Sequence, residues 1–210
     1  MASKIFDIDT REDGTGRLSL GYRGAGGGLR RLSFDLSRAD LVQLALFSEA
    51  ASLRDDLGMR DASDLDFDGL WISDDPVAGQ VHLRRVNAYS EQEAQVPREV
   101  FHAETAGAMD ICLAQAEQVK HGDLLKQMLS ETDVPLPDGL PDDAAEALTH
   151  RLREMALLLL AEQLAEKGSP LAKLMRAKKT RPEAEVSVAR FTAALARSLL
   201  PGAVSQRAQG

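Results

Sequence analysis

Residues Gly14 to Gly58 read GTGRLSLGYRGAGGGLRRLSFDLSRADLVQLALFSEAASLRDDLG, and the fold follows from how this stretch is divided. Arg17–Arg23 alternates, with Leu18, Leu20 and Tyr22 on one face and Arg17, Ser19, Gly21 and Arg23 on the other. One apolar and one polar face at a period of two is the pattern of a half-buried antiparallel strand. Leu29–Leu36 repeats it, with Leu32, Phe34 and Leu36 opposite Arg31, Ser33 and Asp35, and Gly24–Gly28 joins the two runs. Ser37 then stands where a helix N-cap belongs, with Asp40 three residues on as an imperfect capping-box partner. The helix runs to about Leu57, and Gly58 fits the C′ position. Its apolar stripe of Leu41, Leu44, Ala45 and Ala51 is widened by Val42, Phe47 and Leu53, a width suited to packing across a sheet.

The same order of elements recurs. Lys4–Asp9 is a short strand that precedes the unit above, after which Arg11–Gly16 forms a polar turn. Downstream, acidic Arg60–Asp68 is followed by a hairpin of Phe67–Ser73 and Gln80–Ser90 around Asp74–Gly79. Ala94–Phe101 reads as a further strand, which Pro97 confines to an edge, and a helix covers about Glu104 to Lys120. Strands followed by a helix thus occur twice, over 4–57 and 65–120, a duplication in element order. Beyond Gly122 the pattern is helical: Leu124–Leu129, a proline-bearing linker at Asp133–Asp138, a long helix from Pro141-Asp142-Asp143 to Lys167, a short one from Pro170, and a last one over Glu183–Leu200. The expectation is an α+β domain over 1–122, with an antiparallel sheet and two strand-then-helix units, a helical extension over 123–200 and a flexible tail over 201–210.

Composition narrows the function classes. At 44% hydrophobic and 28% charged residues, the chain has the profile of a soluble globular protein. A net charge of −8 gives no overall field toward nucleic acid or an anionic membrane, so such binding requires a local basic patch. Aromatic residues at 4% argue against a surface built mainly on base stacking. Cys112 has no cysteine to pair with, and it reads as a small buried residue on a helix. The N-terminus carries no signal-like apolar run, and Met155–Ala161 is far too short to span a bilayer. A cytoplasmic protein without a membrane partner is expected.

Four constellations bear on chemistry. Gly14–Phe34 holds Arg17, Arg23, Arg30 and Arg31 and no acid, so an arginine-bearing sheet face beside a glycine loop can follow a phosphate backbone, with Tyr22 able to stack only if it turns to that face instead of the leucine face; an ordinary solvated sheet face is the competing reading. Asp64-Leu65-Asp66-Phe67-Asp68-Gly69 and Asp75 match the spacing of a calcium loop, but the segment reads as a strand and Pro76 follows at once, so an acidic strand edge fits better. His82, His102, His121 and His150 are dispersed; the His102-x-Glu104 pair lacks the cysteines of a zinc deaminase, and no metal or cofactor is expected. Lys173, Arg176, Lys178, Lys179 and Arg181 form a cluster without an acid between Gly168 and Pro182, suited to phosphates, to an acidic protein surface or to the acidic edge of a second copy.

The run from Gly16 through the glycine loop to Ser37 resembles the PUR repeat, and more loosely the PC4-like and Whirly single-strand binders. PUR repeats show the same order of a Gly-Arg strand start, a GAGG-type loop, an alternating strand and a helix, and two repeats intertwine. The resemblance implies that Arg17, Arg23, Arg30 and Arg31 lie on or beside a nucleic-acid face. This chain departs from it in having three strands before the first helix rather than four, no such loop in its second half, and a C-terminal helical region without counterpart. The expected function is non-catalytic binding of single-stranded DNA or RNA through Arg17, Tyr22, Arg23, Arg30 and Arg31, with Lys178 and Lys179. The alternatives are a protein-interaction or assembly subunit acting through the C-terminal helices, including as a homodimer, and an enzyme using the carboxylates of Asp64–Asp75.

Overall fold

The computed structural model describes residues 6–23, 27–67, 69–87 and 90–200, and in it strands lead into a helix twice. β1 (Phe6–Thr10), β2 (Gly16–Arg23) and β3 (Leu29–Leu36) precede α1 (Arg38–Asp56). β4 (Ser63–Phe67), β5 (Leu70–Asp75), β6 (Gln80–Asn87) and β7 (Ser90–Pro97) precede α2 (Arg98–Gln118). Then come α3 (Gly122–Glu131), α4 (Asp142–Ala165), α5 (Pro170–Arg176), a 3-10 turn at Lys178–Thr180, and α6 (Arg181–Leu199). The class is α+β. The strands form two antiparallel sheets, β1-β2-β3 and β4-β5-β6-β7. The chain divides into two compact units, Met1–Cys112 and Leu113–Gly210, and the division falls within α2. The tail at 201–210 and the loop glycines Gly24 and Gly26 lie outside the described residues.

In the first unit, strand register carries the alternation into a core. Phe6↔Leu20, Leu18↔Phe34 and Leu20↔Leu32 are cross-strand partners, and Phe6, Leu18 and Leu20 are buried. Ile72↔Leu83 and Val81↔Val96 do the same in the second sheet. The Arg85 guanidinium stacks over the Phe34 ring at 4.6 Å, joining β6 to β3 across the two sheets. Phe101 of α2 packs against Phe6 at 5.3 Å and Phe47 of α1 at 6.4 Å between ring centroids. Both ends of α1 are closed. The Ser37 N–H donates to the Asp40 carboxylate at 2.8 Å, and the Asp40 N–H donates to Ser37 Oγ at 3.2 Å, completing the capping box. At the other end Gly58 takes φ +72°, its N–H donates to the Asp55 carbonyl at 2.8 Å, and the Met59 N–H donates to the Arg54 carbonyl at 2.9 Å. These two bonds make a Schellman motif, whose left-handed residue is most cheaply glycine.

The second strand-then-helix unit differs in detail from the sequence pattern. The acidic segment before Phe67 forms β4, at the edge of the sheet as its aspartates suggest, and Gly69 at φ +74° follows it. Gln80–Ser90 is not one strand: β6 ends at Asn87 and β7 begins at Ser90. The helix starts at Arg98, where the apolar Val100-Phe101 suggests a continuing strand. Helical spacing wins there because Phe101, Thr105, Ala108 and Cys112 then bury on one face.

In the second unit α4 packs against α3, α5 and α6. Met155, Ala156, Leu157 and Leu158 are all buried, so α4 is apolar around most of its circumference, as befits a central helix. The turn from α2 into α3 is tight. His121 takes the left-handed conformation at φ 73°, and a Cβ on Gly122 would lie 2.5 Å from the Glu117 carbonyl oxygen and 2.6 Å from that of Ala116. Backbone on both sides leaves no flexible neighbour to give way. Gly122→Ala is therefore expected to lower unfolding stability by about 2 kcal/mol or more, whereas His121→Gly, which relieves a left-handed side chain, should cost nothing; urea denaturation of the two variants checks both.

Candidate functional site

The outer face of the three-stranded sheet carries Arg17 and Arg31 of the sequence reading, and a carboxylate of a neighbouring strand meets each. Arg17 and Asp35 are partners across β2 and β3, and Arg17 Nε and Nη2 both donate to Asp35 Oδ1, at 3.0 and 2.9 Å. Arg31 Nη2 lies 3.6 Å from Asp7 Oδ2. Arg17, Arg23 and Arg31 occupy positions on this face, whereas Arg30 falls on the opposite one, cross-strand from Tyr22. The side chains of Tyr22 and Arg23, and that of Lys178, lie outside the described residues. Asp7 and Asp35 thus each engage one of the two arginines whose side chains are described on this face. A guanidinium already bound to a carboxylate must give that contact up to hold a phosphate.

The second basic cluster is different. Lys173, Arg176 and Lys179 are exposed at the corner formed by α5, the 3-10 turn and the start of α6, and among the described residues none of the three has an ion-pair partner. Arg181 is paired with Glu185 at 3.5 Å. The corner is anchored by buried Leu171 and Met175, by Ser169 Oγ accepting from the Ala172 N–H at 3.4 Å, and by the Thr180 hydroxyl donating to the Leu174 carbonyl at 2.6 Å.

The four-stranded sheet presents the third surface, which sequence reasoning missed. Register aligns Asp66, Trp71, Arg84 and Glu93 in one row across its four strands, with Asp64, Ser73, His82 and Gln95 in the next. Trp71, the only tryptophan of the chain, is 36% exposed near the middle of that row. Arg84 Nε lies 3.8 Å from Glu93, while the exposed Asp64 and Asp66 of edge strand β4 and Asp75 of β5 leave the described part of the face acidic. The signal was present in Leu70-Trp71-Ile72: once Leu70 and Ile72 are buried, alternation turns Trp71 outward.

Behind this face lies a buried polar cluster. Arg98 Nε and Nη2 donate to the two oxygens of Asp74 at 2.5 and 2.7 Å, and its Nη1 donates to Asp55 at 2.5 Å. These contacts hold the Arg98 guanidinium, already a very weak acid, still more firmly in its charged form. Beside it, Ser48 Oγ lies 2.7 Å from His102 Nδ1 and accepts from the Thr105 hydroxyl at 2.6 Å. Burial, with the Arg98 charge, holds the His102 pKa below the ordinary histidine value. A Ser–His contact invites a nucleophilic reading, but Ser48 is 6% exposed and Thr105 1%. The pair joins α1 to α2 in the core.

Other groupings are self-satisfied. A cleft of about 190 Å³ between α2, α3 and α4 is edged by Lys126, bonded to Glu117 at 2.5 Å, and by His150, bonded to Glu154 at 3.1 Å. Among the described residues no group of three His, Cys, Asp or Glu is placed to hold a metal, and no helix is long and apolar enough to cross a membrane. Asp64 and Asp66 sit in an extended strand, which cannot wrap a cation as a loop does, and Asp68 lies outside the described residues. No family model, curated protein or solved structure matches this chain.

Two outcomes follow for the buried cluster. Arg98→Met leaves the 2%-exposed Asp74 carboxylate without its partner and should cost about 3–5 kcal/mol in chemical denaturation, with Arg98→Lys restoring only part because an ammonium cannot form the fork. Because the folded chain resists protonating His102, the unfolded chain binds the extra proton. Stability should therefore be constant above about pH 7, decline as pH falls through about 6.5, and level off below the folded-state value. Urea midpoints measured against pH for the wild type and His102→Gln should show that step only in the wild type.

Proposed function

We propose that the protein is a non-catalytic binding module that docks a cationic protein segment on the open face of its four-stranded sheet. Trp71 carries this reading: a large aromatic ring, 36% exposed near the centre of the sheet, with Asp66 on one side and Arg84 on the other. Tryptophan and arginine dominate the energetics of protein interfaces, and an indole face attracts a guanidinium or ammonium group. Asp64 and Asp66, both exposed, bias the face toward positive partners. The sheet supplies the rigidity, since Trp71 rises between buried Leu70 and Ile72.

The second reading is single-stranded nucleic acid held through Arg17, Arg23, Arg30 and Arg31 with Lys178 and Lys179. The observation in its favour is the corner at Lys173, Arg176 and Lys179, whose cations are exposed and, among the described residues, free of ion pairs. The pairing of Arg17 with Asp35 and of Arg31 with Asp7 weighs against the sheet portion of that surface.

One titration separates them, because Trp71 is the sole intrinsic indole reporter. An oligo-arginine peptide should change Trp71 fluorescence saturably, and Asp64→Asn/Asp66→Asn should weaken that binding roughly three- to tenfold. No response to the peptide, with saturable and salt-sensitive binding of a labelled oligonucleotide, would overturn the sheet-face reading in favour of the second.

A further inference from the structure

We infer that the cationic segment the sheet face accepts is the α5–α6 corner of a second copy of this chain, so that the protein assembles with itself through two unlike surfaces. The inference rests on the sheet-face reading and adds the identity of the partner. Its basis is complementarity of sign and spacing. In a chain of net charge −8, Gly168–Pro182 contains five cations and no acid, while Arg60–Asp68 contains four aspartates. Lys173 and Arg176 stand three residues apart on α5, which puts their Cβ atoms about 5–6 Å apart on one helix face. Asp64 and Asp66 stand two residues apart on β4, which puts them about 6–7 Å apart on one sheet face. Two cations on a helix thus match two carboxylates on a strand, and Trp71, the cross-strand partner of Asp66, offers its ring beside the second carboxylate.

The rest of the chain makes the match selective. Copies of an acidic protein repel at long range, so a local cationic corner sets which surface another copy can approach. The carboxylates of β4 also oppose direct strand addition at the sheet edge, leaving side-chain docking as the mode of contact. Because the two surfaces differ, the contact either closes reciprocally into a dimer or propagates as an open chain of subunits.

Sedimentation velocity of the full chain tests this, at about 0.05 M and about 0.5 M salt. Self-association is expected at low salt, with an apparent Kd at least about tenfold weaker at high salt, and a matching concentration-dependent change in Trp71 fluorescence. Two variants, Lys173→Glu/Arg176→Glu/Lys179→Glu and Asp64→Lys/Asp66→Lys, should each be monomeric alone, since each opposes like charges. Mixed in equal amounts they should associate again, because each then supplies the surface the other lacks. That restoration also shows that both variants fold. A wild-type chain that stays monomeric at low salt, or a mixture that fails to associate, overturns the inference. If the chain is monomeric while oligo-arginine still titrates Trp71, the sheet-face reading survives and only self-assembly falls. If an oligonucleotide binds the monomer and the triple-Glu variant loses it, the corner is a phosphate site instead.

Discussion

The first unit is organised around one arginine. Arg98 opens α2 and reaches into the protein, where its fork closes on Asp74 of β5 and its remaining nitrogen on Asp55 near the end of α1. Its own N–H donates to the Gly79 carbonyl at 3.1 Å, in the turn between β5 and β6. Asp74 is 2% exposed, and an ionised carboxylate at that depth is tolerable only with a fixed partner. The contribution lies less in net energy, which desolvation largely offsets, than in geometry. A planar fork accepts one approach direction, and that direction sets where α2 starts relative to the sheet and to α1. Phe101 and the Ser48–His102–Thr105 chain then follow within the first two turns of the helix.

The same principle, a charge satisfied or left open, distinguishes the surfaces. On the three-stranded sheet, register sets Arg17 opposite Asp35, and Asp7 of β1 lies 3.6 Å from Arg31. Among the described residues, both arginines of that face are paired. On the four-stranded sheet Arg84 is occupied by Glu93, whereas Asp64 and Asp66 face solvent beside an exposed indole. At the corner of α5 and α6, Lys173, Arg176 and Lys179 face solvent as well. Binding energy is available where charges and apolar rings still have partners to gain, and of these surfaces it is the last two that have them.

Much of the architecture was legible in residue order because it depends on neighbours along the chain. The alternation of Arg17–Arg23 and Leu29–Leu36, the Ser37 cap and the Gly58 stop each need only a few consecutive residues, and each is where the pattern placed it. The helical C-terminal region was legible from its apolar stripes and from the breaks at Gly168 and Pro170. Local propensity failed where a short apolar run admits two periods. Val100-Phe101 after a strand reads as more strand until burial of Phe101 with Ala108 and Cys112 selects the helix.

Residue order alone carries β2, β3, α1, the helices beyond Gly122, the α+β class and the two basic clusters, since periodicity, caps and composition are short-range properties. The tertiary structure alone decided that the strands divide into two sheets, that Arg17 and Arg31 meet carboxylates while Lys173, Arg176 and Lys179 do not, and that Trp71 faces solvent. It alone joined Asp74 to Arg98 and Ser48 to Thr105, pairs separated by 24 and 57 residues. No local rule reaches that far: which charge meets which depends on strand register and helix packing, and these are set only when the whole core closes.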